Sequence, residues 1–464
     1  MKVTFYRILP LMVLFSLFIG VTSPSVWPAK LNWTTNLLEG DRIILHYLTI
    51  ISEENARALL KDRIRALEFV EDFLQIRFEG TLEVTVNPVL IAGTAHAFPC
   101  PPYTIVCGVP LYRLTTFGRV YEHGLEVHEE VHIVAGQQWT TIAAVALKEG
   151  LAVAVDFVSC SPNVIDIHLI SKGLKQIGKL LPFDELLSIN ENSIMFALSA
   201  INVYYEGASF IHFLISKYEI KPFTQFYRLS WMPISTLKQK IHQIYGKELS
   251  TLEEEWHQFL EEYAPGQERR GEYAVEALMS RGPALSQFLK QLESYWEDAP
   301  FKLVSPSARV YREYDALLGS LIKLASPRAE EAGPEAARKD YEFYQSALAT
   351  VKNSLAAWLE AIQTFEAVLN SIPEQSDYGT IIDELEEIQA LYREVGDEGM
   401  VTRTGEYIAA FQLLQEGENR LMDGNLASAE NTLVNALELF SKLDEQQMAR
   451  QVSRLLELSR HVIM

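Results

Sequence analysis

The chain has 464 residues, 48% of them hydrophobic and 22% charged, which suits about two or three domains with sizeable cores and excludes wholesale disorder. Its net charge of −21 excludes nucleic acid as a main partner, because phosphate binding needs clustered Lys and Arg. Three cysteines are too few for a disulfide framework.

In chain order, the first predicted element is an export segment. Lys2 and Arg7 precede an uncharged apolar run from Ile8 to Val21, and the small residues Val21-Thr22-Ser23 follow. The run falls short of the roughly 20 residues of a comfortable bilayer span. Residues 1–23 therefore read as a signal peptide or an N-terminal anchor. Either places the protein outside the cytoplasm: secreted, periplasmic, or held at a membrane by a tether through residues 8–21.

Residues 24–38 read as an irregular lead-in. Arg42 to Ile51 is rich in Ile, Leu and Tyr and predicts a strand. Ser52 caps a helix running to about Leu74, with Leu59, Leu60, Ile64, Leu67 and Val70 on one face. Alternation of Leu82, Val84 and Val86 predicts a second strand, followed by a Pro-rich loop and a short strand at Tyr103 to Cys107. Cys100 and Cys107 either close a small disulfide loop or stay as thiols. From Tyr121 the pattern is mostly helical, with Asp184 to Tyr218 and Pro222 to Tyr263 as helices. Strands first and helices after is an α+β layout. Ala264-Pro265-Gly266 marks a domain boundary, dividing residues 24–265 from an all-α region at 266–464. There Gly417, Gly424, Ala429 and Ala436 recur at the small-residue spacing of a tetratricopeptide repeat. With one repeat legible, an ordinary helical bundle is the alternative.

The motif with chemistry is His128-Glu129-Glu130-Val131-His132, H-E-x-x-H. Four residues apart on a helix, the two imidazoles point the same way and can hold one ion. Glu129 then reaches a water on the open side, where a zinc ion lowers the water's pKa and a carboxylate takes its proton. A catalytic zinc takes three protein ligands, and Glu149, seventeen residues after His132, is the best-placed third. His123 is five residues from His128 and points elsewhere.

H-E-x-x-H followed by Glu149-Gly150-Leu151-Ala152 resembles the gluzincin metallopeptidases, including their aminopeptidase-N-like and thermolysin-like branches. Tyr204-Tyr205-Glu206-Gly207-Ala208-Ser209 is similar to the Y-x-x-G-A-S segment of the former branch. That likeness implies that Tyr204 donates to the oxyanion of the tetrahedral intermediate, with Tyr205 as the fallback. Related enzymes carry an acid near Asp156, which either orients a ligand histidine or is an exposed helix carboxylate. The likeness continues through Phe210 to Tyr218 and Leu252 to Trp256, so it covers about Arg42 to Tyr263. It implies a gluzincin-type domain with one zinc ion and a peptide or protein substrate.

One departure matters. Aminopeptidases of this group grip the substrate's amine with a G-x-M-E-N strand, and the matching stretch, Tyr103 to Val109, has no Glu. This favours an endopeptidase. Tyr103 to Cys107 reads either as an edge strand that pairs with an extended peptide or as a plain strand. A different class of function stays open: a non-catalytic interaction protein that docks a partner on its C-terminal helices.

Overall fold

A computed structural model describes residues 35–49, 51–89, 94–110, 126–140, 142–160, 164–189, 197–298, 304, 307–327, 333–372 and 377–463. The predicted export segment and His123 lie outside those residues. Contacts group the chain into two units, Met1–Leu289 with Glu313–Thr350, and Lys290–Arg312 with Val351–Met464. The predicted break at Ala264-Pro265-Gly266 falls inside the first unit, at a turn where Ala264 has φ 43° and Gly266 φ 79°.

The first unit opens with a five-stranded mixed sheet: β1 (Thr35–Glu39), β2 (Ile43–Leu48), β3 (Leu82–Val89), β4 (Thr94–Phe98) and β5 (Tyr103–Pro110), in the order β1-β2-β3-β5-β4. Helix α1 (Glu53–Leu74) carries the chain from β2 to β3, which makes that pair parallel. Ser52 caps α1 by accepting the Asn55 N–H. Ile43, Leu45, Val84, Val86, Ile105 and Cys107 are buried, as are Leu59, Leu67 and Val70 of α1. Each such aliphatic side chain contributes about 1.5–3 kcal/mol on leaving water.

Two sequence readings change here, and one open alternative closes. β1 occupies part of the expected lead-in and pairs antiparallel with β2, a hairpin closed by Gly40 N–H to Ile43 O at 2.8 Å. β4 lies where a Pro-rich loop was expected. Its Thr-Ala-His-Ala-Phe run has little β propensity, and its antiparallel ladder to β5 defines it. Tyr103 to Cys107 is not an edge: β5 has β3 parallel on one side and β4 antiparallel on the other, so both faces of its ladder are used. The edge strands are β1 and β4. Cys100 and Cys107 are not joined by a disulfide; Cys100 is exposed and Cys107 sits in the sheet core.

After the sheet come α2 (His128–Gln138), α3 (Val145–Cys160), α4 (Ile167–Gln176), α5 (Phe183–Ser188), α6 (Ala197–Ile201), a π turn (Asn202–Glu206), α7 (Gly207–Tyr218), α8 (Ile220–Leu229), α9 (Ile234–Tyr245) and α10 (Leu249–Glu262). The expected helix from Asp184 to Tyr218 is thus several elements. Helices α11 (Glu268–Asp298), α12 (Ala308–Leu324) and α13 (Pro334–Ser371) each contribute residues to both units.

The second unit is helical. α14 (Tyr378–Val395), α15 (Glu398–Met422), α16 (Leu426–Lys442) and α17 (Gln446–Ile463) follow one another through short turns and pack as successive neighbours. Three of the four small residues read from the sequence fall at this packing, and Gly424, with φ 76°, lies in the turn between α15 and α16. A Cβ on Gly417 of α15 would meet Leu433 of α16 at 2.6 Å, and Ala429 and Ala436 are fully buried. No helix among the described residues is long and apolar enough to cross a membrane.

Candidate metal centre

The centre is built on α2 and α3. α2 is short and has no capping side chain of its own at Val127. Asp156 of α3 supplies the missing acceptor: its Oδ1 takes the Val127 N–H at 2.7 Å. Arg63 of α1 fixes the same end, donating to Glu130 at 2.9 and 3.2 Å and to the Glu126 carbonyl at 2.7 Å. The far end is tied by Gln137, which accepts the Glu79 N–H at 2.8 Å and donates to the Glu79 carbonyl at 2.6 Å. The helix with the two histidines is therefore held at both termini before any ion is considered.

His128 and His132 project together, their rings 4.8 Å apart and nearly perpendicular. Their Nε2 atoms are 3.2 Å apart. Oε2 of Glu149, one turn into α3, lies 3.4 Å from each. Ligand bonds of about 2.0–2.1 Å in a tetrahedron put neighbouring donor atoms roughly 3.3–3.4 Å apart. The triangle thus has the size of one face of a zinc tetrahedron, and these three side chains form the only such cluster found among the described residues. Two imidazoles and one carboxylate also suit zinc chemically.

The second polar atom of His128 is engaged as well. Its Nδ1 lies 3.4 Å from Asp156 Oδ2, so the proton belongs on Nδ1 and Nε2 faces the triangle. Burial opposes charging of His128, yet Asp156, Glu149 and Glu129 hold its imidazole well above the ordinary histidine range. Burial likewise opposes ionisation of Glu149, but the His132 and His128 rings hold its carboxyl well below the usual range. Without metal the cluster stores protons that an entering cation would displace. Glu129 is half-buried beside His128. Burial pushes the Glu130 carboxyl up to about 7, against the pull of Arg63.

Of the two candidate tyrosines, Tyr204 is brought to the centre. Its ring stacks on His128 with centroids 6.3 Å apart and planes 9° from parallel. Tyr205 follows on the other side, where its phenol is pushed up by burial and feels Arg281. The approach of Tyr204 depends on two glycines from the two sequence motifs. A Cβ on Gly150 would meet the Gly207 backbone at 2.8 Å, and one on Gly207 would meet the Ala146 carbonyl at 2.9 Å. Gly150 follows Glu149 because α3 must touch the helix that carries Tyr204.

Sequence reasoning missed the Arg63–Glu130 pair, which joins residues 67 apart and leaves no local pattern. It also missed Tyr227 of α8, whose buried phenol is pushed up first by burial and then by the charge of Glu149. No family model, curated protein or solved structure matches the chain.

Proposed function

We propose that the chain is a zinc-dependent peptidase of the gluzincin type, acting on internal bonds of peptides or proteins. The observation that carries this reading is the His128–His132–Glu149 triangle, with sides of 3.2, 3.4 and 3.4 Å. A zinc ion there supplies Lewis acidity, polarising a carbonyl and lowering the pKa of a water. His128, His132 and Glu149 hold it, and Asp156 fixes the His128 ring and its tautomer. Glu129 is the base: it takes the water's proton and returns it to the leaving amine. Tyr204, beside His128, donates its phenol proton to the oxygen that gains charge as the carbonyl is attacked.

Endopeptidase action is favoured because neither strand beside α2 carries a Glu to bind a free amine: β4 reads Thr-Ala-His-Ala-Phe and β5 Tyr-Thr-Ile-Val-Cys-Gly-Val-Pro. The C-terminal helices, tetratricopeptide-like in their small-residue spacing, serve to dock a protein partner. The N-terminal segment directs export.

The test is Glu129→Gln with elemental analysis. The variant is expected to bind one zinc per chain, as wild type does, and to hydrolyse an unstructured protein substrate about 10²–10⁴ times more slowly. Equal hydrolysis by both proteins overturns the reading. So does a folded wild type that takes up no zinc, which would leave the helical region as the working part.

A further inference from the structure

The turn that presents Tyr204 is held from behind. Between α6 and α7 the helix widens over Asn202–Glu206, where the Gly207 N–H reaches back to the Asn202 carbonyl. Such π turns are rare and concentrate at functional sites, because an extra residue in a helical turn persists only when its surroundings hold it. Here the holding groups are Asn202 and Glu206, both fully buried. Asn202 Nδ2 donates to the Lys179 carbonyl at 3.0 Å and to a carboxyl oxygen of Glu206. Glu206 accepts the Leu181 N–H at 3.1 Å. Residues 179–181, leaving α4 just after Gly178 with its φ of 67°, are thus joined to both ends of the π turn.

These contacts lie away from the His128–His132–Glu149 cluster. Tyr204 is two residues from each of Asn202 and Glu206, and residues two apart on a helix do not share a face. The arrangement is also costly: Asn202 Oδ1 is buried with no hydrogen-bond partner among the described residues. An apolar pair would avoid that cost but would leave the turn free to relax into an ordinary α-helix. Losing the extra residue would rotate Tyr204 off His128.

We propose that Asn202 and Glu206 are positioning residues that fix the π turn and so set Tyr204 over His128. The kinetic part of this proposal rests on the peptidase reading, whereas the geometric part does not. Its test uses the full chain and the variants N202A, N202S, E206A, E206Q and Y204F, with Y204L as a reference. In the metal-free protein the imidazole C–H resonance of His128, assigned by its loss in H128N, reports the Tyr204 ring stacked on it. N202A and E206A are expected to move that line in the direction that Y204L does. E206Q should leave it in place, because a glutamine oxygen still accepts the Leu181 N–H. N202S gives the same reading in a milder form should N202A fail to fold.

With zinc bound, N202A is expected to lower kcat about tenfold, with KM and zinc content unchanged. Added to Y204F, it should cost nothing further, since the group it positions is already gone. A His128 line that stays put in folded N202S and E206A, or losses that multiply in the N202A/Y204F pair, overturns the proposal. A wild type that cleaves nothing overturns the peptidase reading instead, and the resonance experiment still decides this one.

Discussion

The two units bury different things. In the first, Arg63, Glu71, Glu130, Asp166, His168, Lys172, Glu206, Arg270, Arg281 and Asp340 are all buried. In the second, Asp397 is the only charged side chain buried among the described residues, and it is a helix cap. A chain with no special chemistry keeps such groups in water, because each must be paired on burial or it destabilises the fold. The second unit follows that rule, its helices meeting through Gly, Ala and Leu. The first departs from it: the Arg63–Glu130 pair orients the short helix that carries His128 and His132, and a buried Glu206 carboxyl, pushed up to about 8 by burial, braces the widened turn.

The largest expected effect that sharpens this contrast is at Arg63. Arg63→Met removes the partner of a fully buried Glu130 and should destabilise the first unit by about 3–5 kcal/mol in chemical denaturation. Arg63→Met with Glu130→Met should recover most of the loss, because an apolar pair of similar volume is tolerated where a lone charge is not. If the single variant costs less than about 1 kcal/mol, as an exposed pair would, the helix is not held as described.

A second effect comes from Glu71 of α1. Burial alone would raise its carboxyl. Hydrogen bonds from Arg42, from the Phe78 N–H at 2.7 Å and from Arg77 at 2.8 Å instead lower it to about 2. Its folded value thus lies below its unfolded one, so the stabilisation is complete above the ordinary carboxylate range and is lost as pH falls toward 2. Over that window Glu71 should account for a loss of about 3 kcal/mol, and Glu71→Gln should make the slope shallower by that amount while other paired carboxyls keep theirs. An acid titration of stability identical in wild type and variant would contradict the pairing.

The sequence reveals the centre better than its support. H-E-x-x-H works through the helical repeat alone, and Glu149 needed only one further local motif. Ser52, with its Glu-Glu first turn, gave the start of α1 directly. Support depends instead on residues far apart in the chain. Arg63 is one more polar residue on an amphipathic helix until it meets Glu130. Gly150 and Gly207 are letters of two motifs, and their contact appears only when α3 and α7 are brought together. A π turn differs from an α turn by one residue, which no periodicity resolves. β1 and β4 have weak patterns because edge strands of this sheet are defined by their neighbours' ladders rather than by their own side chains.

The smallest effect belongs to the second unit and tests the contrast from that side. Asp397 accepts the Met400 N–H at 2.9 Å with one oxygen and the buried Trp358 Nε1–H at 2.9 Å with the other. It begins α15 and satisfies the largest side chain in that core. Asp397→Ala should cost about 2 kcal/mol, roughly 1 for the lost cap and at least about 1 for an unsatisfied indole N–H. Asp397→Asn keeps an acceptor for Met400 and should recover the cap but not the indole bond. Neither change should alter zinc stoichiometry. A loss as large as that of Arg63→Met would mean that the second unit also depends on a buried charge, and the distinction between the two regions would fall.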